Sequence, residues 1–201
     1  EVKTERDLSR WYGDDQVTRV PTQRSFTVSH IQLLLKGETP VRLPVTVKSQ
    51  NALFTPFGIG YVEQGPMAGR HIIPVHFNGK LIAYEARDFT SQQTPKTLIQ
   101  PPEVPIHSYL WNYDNIEEGK TIIVVEGTKG ALALLSYDVK NVVASFGAQL
   151  STDQVALLLT KQPVEVVIAY DGDNAGIVGT SEAIEQLLAW VTVSTVELPA
   201  G

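Results

Sequence analysis

From Lys120 onward, short apolar runs alternate with amphipathic stretches. Thr121 to Val125 is a continuous run rich in β-branched residues, the pattern of a strand buried on both faces. The pattern then predicts a helix over Gly130 to Tyr137 and a strand over Asn141 to Ser145. A helix over Ser151 to Thr160, opened by a serine cap, follows. Val164 to Tyr170 reads as a third buried strand, Ile177 to Trp190 as a long amphipathic helix and Val191 to Leu198 as a fourth strand. Strands and helices in that alternation imply an α/β fold, a parallel sheet flanked by helices and joined by right-handed crossovers.

The first half is less regular. Prolines at Pro21, Pro40 and Pro44 interrupt it, and one helix or strand is expected around Ser29 to Leu35. Arg70 to Phe77, then Asn78-Gly79, then Lys80 to Arg87 reads as a β-hairpin closed by a type I′ turn. Thr94-Pro95-Lys96 and the prolines at Pro101, Pro102 and Pro105 mark an extended connection. The expected organisation is a smaller mixed α+β subdomain over residues 1–116, containing the hairpin, followed by the α/β domain over residues 117–201.

Charge sharpens that division. Of the 201 residues, the first 100 hold 12 Lys+Arg against 9 Asp+Glu, and the remainder hold 4 against 13, balances of +3 and −9 that sum to −6. Every arginine lies in the first half. Guanidinium groups suit phosphate and clustered carboxylates suit hard divalent cations, so the split fits a polyanion-binding half joined to a metal-binding half; solvated surface is the plainer reading. With no cysteine, disulfides and cysteine-ligated zinc are excluded. No apolar run reaches the roughly 20 residues a membrane span needs. The chain starts at Glu1 without a signal-peptide pattern, so a soluble piece of a longer protein is expected.

In an open parallel sheet, ligands bind beyond the carboxyl ends of the strands. Glu126-Gly127 follows the first predicted strand and Asp171-Gly172-Asp173 the third, so both acidic groups are expected at one sheet edge. Either motif alone reads equally well as ordinary polar loop residues. Together they suit Mg²⁺, which takes oxygen ligands and shares substrate phosphates, and so point to phosphoryl transfer. Asp171, Asp173, Gly176 and Glu182 also fall at EF-hand offsets, but Ala175 occupies a ligand position and a strand precedes the loop where an EF-hand needs a helix.

These residues resemble the Toprim domain of DnaG-type bacterial and phage primases. Val124-Val125-Glu126-Gly127 is similar to the family's first acidic motif, Val143 to Gly147 to its glycine turn, and Tyr170 to Gly176 to its D-x-D-x-A-G motif. Upstream, Arg70 to Pro74, Tyr84 to Arg87 and Thr94-Pro95-Lys96 are similar to the basic strands and T-P-K segment that precede Toprim in primases. The resemblance covers about residues 57–201, and this motif order separates primases from topoisomerases, recombination mediators and Toprim nucleases.

The resemblance implies a primase core that makes short RNA primers on single-stranded DNA from nucleoside triphosphates, with Mg²⁺ or Mn²⁺. It implies Glu126, Asp171 and Asp173 as catalytic and metal-site residues, and Arg70, Arg87 and Lys96 as contacts to nucleotide phosphates or template. It further implies a replicative helicase, fused or in trans, a phage or plasmid setting, a cytoplasmic location and no membrane association. Three departures bear on this. Gly130 stands where the family often has Asp, and the chain stops at Gly201 before the final acidic motif. Thr97 and Ile99 replace an aromatic and an Asn, with His107 the one basic-capable residue in the next loop. The first two motivate a non-catalytic single-stranded-DNA-binding module of a helicase-primase as an alternative. A Toprim nuclease is another, opposed by the hairpin and T-P-K segment. His71 and His76, on opposite faces of a strand, read as structural rather than zinc ligands. Tyr61, Phe77, Tyr84 and Phe89 read as core and hairpin packing, with base stacking as the alternative.

Overall fold

A computed structural model describes residues 42–44, 47–48 and 51–196. The element expected around Ser29 to Leu35 lies outside them. The chain divides into two compact units between Ile106 and His107.

In the first unit, five strands form an antiparallel meander: β1 (Val47–Lys48), β2 (Gly60–Tyr61), β3 (His71–Phe77), β4 (Lys80–Arg87) and β5 (Thr97–Gln100). β3 and β4 are the predicted hairpin. Phe77 pairs with Lys80 across Asn78-Gly79, whose φ values of 51° and 74° are the two positive angles a type I′ turn requires. Side chains alternate across the sheet, so Val62, Ile72 and Ala86 bury one face with Tyr84 and Leu98 against them.

The loop from β4 to β5 is organised from within by Asp88. Its carboxylate accepts hydrogen bonds from the Thr90 amide and hydroxyl and from the amides of Gln92 and Gln93, at 2.6 to 2.7 Å. The Thr90 hydroxyl and these amides hold the Asp88 carboxyl well below the usual carboxylate range, against the opposing effect of desolvation.

The second unit is the α/β domain. β6 (Ile122–Val125), α1 (Thr128–Ser136), β7 (Val142–Ala144), α2 (Thr152–Thr160), β8 (Glu165–Ile168), α3 (Asn174–Leu187) and β9 (Thr192–Thr195) follow in turn. All four strands are parallel, in the order β7-β6-β8-β9. Ile122, Val124, Val142, Val143, Val166 and Ile168 are fully buried, as unbroken β-branched runs demand. The path runs one way from β6 to β7 and the other way from β7 to β8 and β9. Right-handed crossovers then put α1 on one face and α2 and α3 on the other. The direction reverses between β6 and β8.

Residues 107–116, assigned to the first half from sequence, pack with the second. Trp111 exchanges two main-chain hydrogen bonds with Ala144 at the edge of β7. Ser151 and Gln154 form a capping box at α2, and the fully buried Gln154 amide also donates to the carbonyls of Tyr109 and Ser145. One side chain thus closes a helix end and fastens the incoming segment to the β7–α2 turn.

Candidate active site

The reversal between β6 and β8 falls at their carboxyl ends, the place where open parallel sheets bind ligands. Val124 pairs with Ile168 across these strands. Glu126 and Asp171 follow at the end of each. The Asp171 amide donates to Glu126 Oε1 at 2.9 Å, so the two loops are joined through the first candidate carboxylate. The β7–α2 turn closes in from the other side, where the Gly147 amide donates to the Glu126 carbonyl at 2.9 Å.

Burial raises the Glu126 carboxyl above its ordinary value. The Asp171 amide counters this, while the charges of Asp171 and Asp173 add to it. Asp171 and Asp173 therefore sit close enough to Glu126 to act on it electrostatically. Asp171 is exposed, and among the described residues no hydrogen bond or ion pair engages its carboxylate. Asp173 is the N-cap of α3, accepting the Gly176 amide on Oδ1 at 2.9 Å. Behind them Tyr170 is 2% exposed, and burial, with the Glu126 charge adding to it, pushes its phenol up to about 12.

Two glycines make this edge possible: Gly176, which the sequence placed in a motif without a steric role, and Gly179, which it did not single out. A Cβ on Gly176 would overlap the Asp171 carbonyl oxygen and stand 2.8 Å from Glu126 Oε1. A Cβ on Gly179 would overlap the Ala148 carbonyl oxygen. Glycine at positions three apart on a helix marks one close-packed stripe, and this was the available signal. Gly130 is different, because a Cβ there would meet only the Val125 side chain at 3.6 Å, an ordinary contact.

The donor set can be tested against the implied cation. Among the described residues no three His, Cys, Asp or Glu side chains converge to enclose a metal. Mg²⁺ does not need such a cage, since it binds through one or two carboxylates with waters and substrate phosphates. Crowded carboxylates at an open edge, one of them unengaged, fit that mode.

The basic candidates lie in the first unit. Arg70 departs from its expected phosphate-binding role. It is 3% exposed, and its guanidinium donates to the carbonyls of Ala86, Pro95 and Lys96 at 3.1, 2.6 and 3.1 Å. It clamps the β4–β5 loop from inside. Arg87 is partly exposed, pairs with the buried Glu85 at 2.8 Å and lies over the Phe89 ring. Lys96 is exposed, and among the described residues its ammonium is unpaired.

A Toprim domain model matches residues 120–197. A DNA primase of Synechocystis sp. is 28% identical, over 94% of this chain and 34% of its own length. A DNA primase of Clostridium acetobutylicum is 37% identical, over 66% of this chain and 23% of its own. This chain thus spans about a third or less of the curated relatives it matches. The crystal structure of the Aquifex aeolicus primase, comprising zinc-binding and RNA polymerase domains, superposes with a TM-score of 0.64 at 28% identity. That alignment covers 76% of this chain and 47% of the Aquifex one.

Proposed function

The chain carries a Toprim domain over residues 120–197 and resembles the RNA polymerase core of DnaG-type primases, and from that premise we propose that it synthesises short RNA primers on single-stranded DNA. The reaction is nucleotidyl transfer from nucleoside triphosphates, dependent on Mg²⁺ or Mn²⁺. The observation that carries the reading is the union of Glu126 and Asp171 across the β6/β8 reversal through the Asp171 amide, at an edge left open to ligands.

Glu126, Asp171 and Asp173 would hold the cation, which when bound offsets charge on the attacking 3′-oxygen and the leaving pyrophosphate. The rest falls to the protein. Glu126, with its carboxyl raised by burial, suits proton transfer from a hydroxyl better than an ordinary surface glutamate. The Asp171 amide fixes its rotamer. Lys96 and the outer part of Arg87 contact phosphates of template or nucleotide. A replicative helicase, fused or in trans, would deliver the single strand, in the cytoplasm of a bacterial or phage-infected cell. No helix among the described residues is long and apolar enough to cross a membrane.

A second reading, a non-catalytic binding module of a helicase-primase, draws on Gly130 and on the lack of a three-donor cluster among the described residues. Template-dependent incorporation of labelled nucleotides with Mg²⁺ or Mn²⁺ decides between them. Asp171→Asn and Glu126→Gln are each expected to lower incorporation by about 100-fold or more. Unchanged incorporation in both would remove the site. Binding of single-stranded DNA without synthesis by the wild type supports the module, and metal-dependent nicking without nucleotides supports a nuclease.

A further inference from the structure

We infer that Tyr170 is a positioning residue for Glu126: its buried hydroxyl supplies a second hydrogen bond to that carboxylate, on the oxygen that the Asp171 amide leaves free. This rests on the reading of Glu126 as a site residue and adds the residue that supports it from beneath.

Register brings the group together. Val125 pairs with Ala144 and Val124 with Ile168, so just past the last paired residues Ser145, Glu126 and Tyr170 form one row across β7, β6 and β8. Residues in one row share a face of the sheet. The ladder reaches this row, with the Ser145 amide on the Val125 carbonyl at 3.0 Å and the Ala169 amide on the Val124 carbonyl at 2.8 Å. Its next bond is replaced. The Gly147 amide takes the Glu126 carbonyl, and the Asp171 amide, which a continued ladder sends there, bonds Glu126 Oε1 instead. Glu126 is thus held by its side chain where pairing ends, with a serine on one side in the row and a tyrosine on the other.

The tyrosine is the unexplained member. It is 2% exposed and its hydroxyl has no hydrogen-bond partner, a condition native interiors carry rarely. Burial pushes its phenol up to about 12, so the proton stays on, and the Ser145 hydroxyl and the Glu126 charge act on it next, so both groups stand near. Ser145 Oγ is already engaged with the carbonyls of Val125 and Gly147, at 3.1 and 2.7 Å. Glu126 Oε2 is engaged by nothing among the described residues. A hydrogen bond to a carboxylate is about twice as strong as one between neutral groups, so the free carboxylate oxygen is the preferred acceptor. Glu126 is only half-buried and has the room to turn onto the phenol. Tyr170 itself is too deep to touch a substrate, so its action passes through Glu126.

The test uses the whole chain and begins without any activity. Urea midpoints are measured for Tyr170→Phe in the wild-type, Ser145→Ala and Glu126→Ala backgrounds. The midpoint is expected to fall in the first two and to hold or rise in Glu126→Ala, where the hydroxyl has lost its acceptor. A shift of the same sign and size in all three backgrounds, or a fall that vanishes only in Ser145→Ala, would overturn the proposal. Titration calorimetry with Mn²⁺ and steady-state nucleotide incorporation then follow the site. Tyr170→Phe is expected to lower Mn²⁺ affinity and kcat, each by about 10- to 100-fold, with the KM for nucleotide unchanged. Wild-type Mn²⁺ affinity together with wild-type kcat in Tyr170→Phe would refute the positioning role. A wild type that synthesises nothing, yet keeps the coupling of Tyr170 to Glu126 in urea, would sink the primase reading alone.

Discussion

Gly130 and Gly176 are both the third residue of a helix, in α1 and α3, and the same substitution should act on them in opposite directions. Alanine relieves the entropic cost of glycine in a helix by up to about 1 kcal/mol, a gain that is nearly the same at both sites. At Gly130 the new methyl meets Val125 at 3.6 Å, so Gly130→Ala keeps the gain. At Gly176 the methyl overlaps the Asp171 carbonyl oxygen and crowds Glu126 Oε1 at 2.8 Å. Main chain cannot rotate aside as a side chain does, so α3 must move off the Asp171 loop. The gain cancels between the two sites, so the overpacking cost, typically about 1–3 kcal/mol, is what separates the two variants. For a chain of this size that corresponds to roughly 2–4 °C of melting temperature per kcal/mol. Urea denaturation and thermal melting of both variants beside the wild type measure it. Gly176→Ala should also lower affinity for Mg²⁺, because the displaced helix carries Asp173. Equal stability of the two variants would refute the close approach of α3 to Asp171, and with it the geometry of the site.

Three further outcomes follow from the same structure. Gly130→Asp should fold, gain about 0.3–1 kcal/mol from a carboxylate in the first turn of α1, and strengthen Mg²⁺ binding by titration calorimetry if that position feeds the Glu126 edge. Arg70→Lys should destabilise by about 2–4 kcal/mol in urea, since an ammonium cannot serve the three carbonyls that the guanidinium holds; single-stranded-DNA affinity of the folded fraction should be unchanged. Asp88 has a depressed folded-state pKa, so its stabilisation is present above the ordinary carboxylate value and is lost as pH falls through the folded one. The melting temperature of Asp88→Asn should therefore lie below that of the wild type by a constant margin above about pH 5, and the margin should shrink below about pH 4.

Much of the second unit was legible because its signals are local. Buried parallel strands need unbroken apolar runs, and Ser151 announces its helix through the capping box with Gln154. The hairpin turn was legible for the same reason, since Asn78-Gly79 supplies both positive φ angles. What escaped depends on contacts remote in sequence. Arg70 looks like any surface arginine until the β4–β5 loop folds over it. Residues 107–116 carry no periodic pattern, and only the edge of β7 and the Gln154 amide give them a place. The four aromatics singled out from sequence separate once register is known. Phe77 is core, Tyr84 packs on the core face, and Tyr61 and Phe89 join His71 on the other. Gly176 stood in a recognised motif, but its steric role needed the position of the Asp171 carbonyl.

The hydrogen bond from Asp171 to Glu126 spans 45 residues of chain and two crossovers. During synthesis, Glu126 leaves the ribosome with β6 long before β8 exists to pair with it. The acidic edge is therefore created by the same event that completes the middle of the sheet. A chain stalled, truncated or misfolded before that pairing never brings Glu126 and Asp171 together. Assembly of the acidic edge is in this way licensed by folding itself.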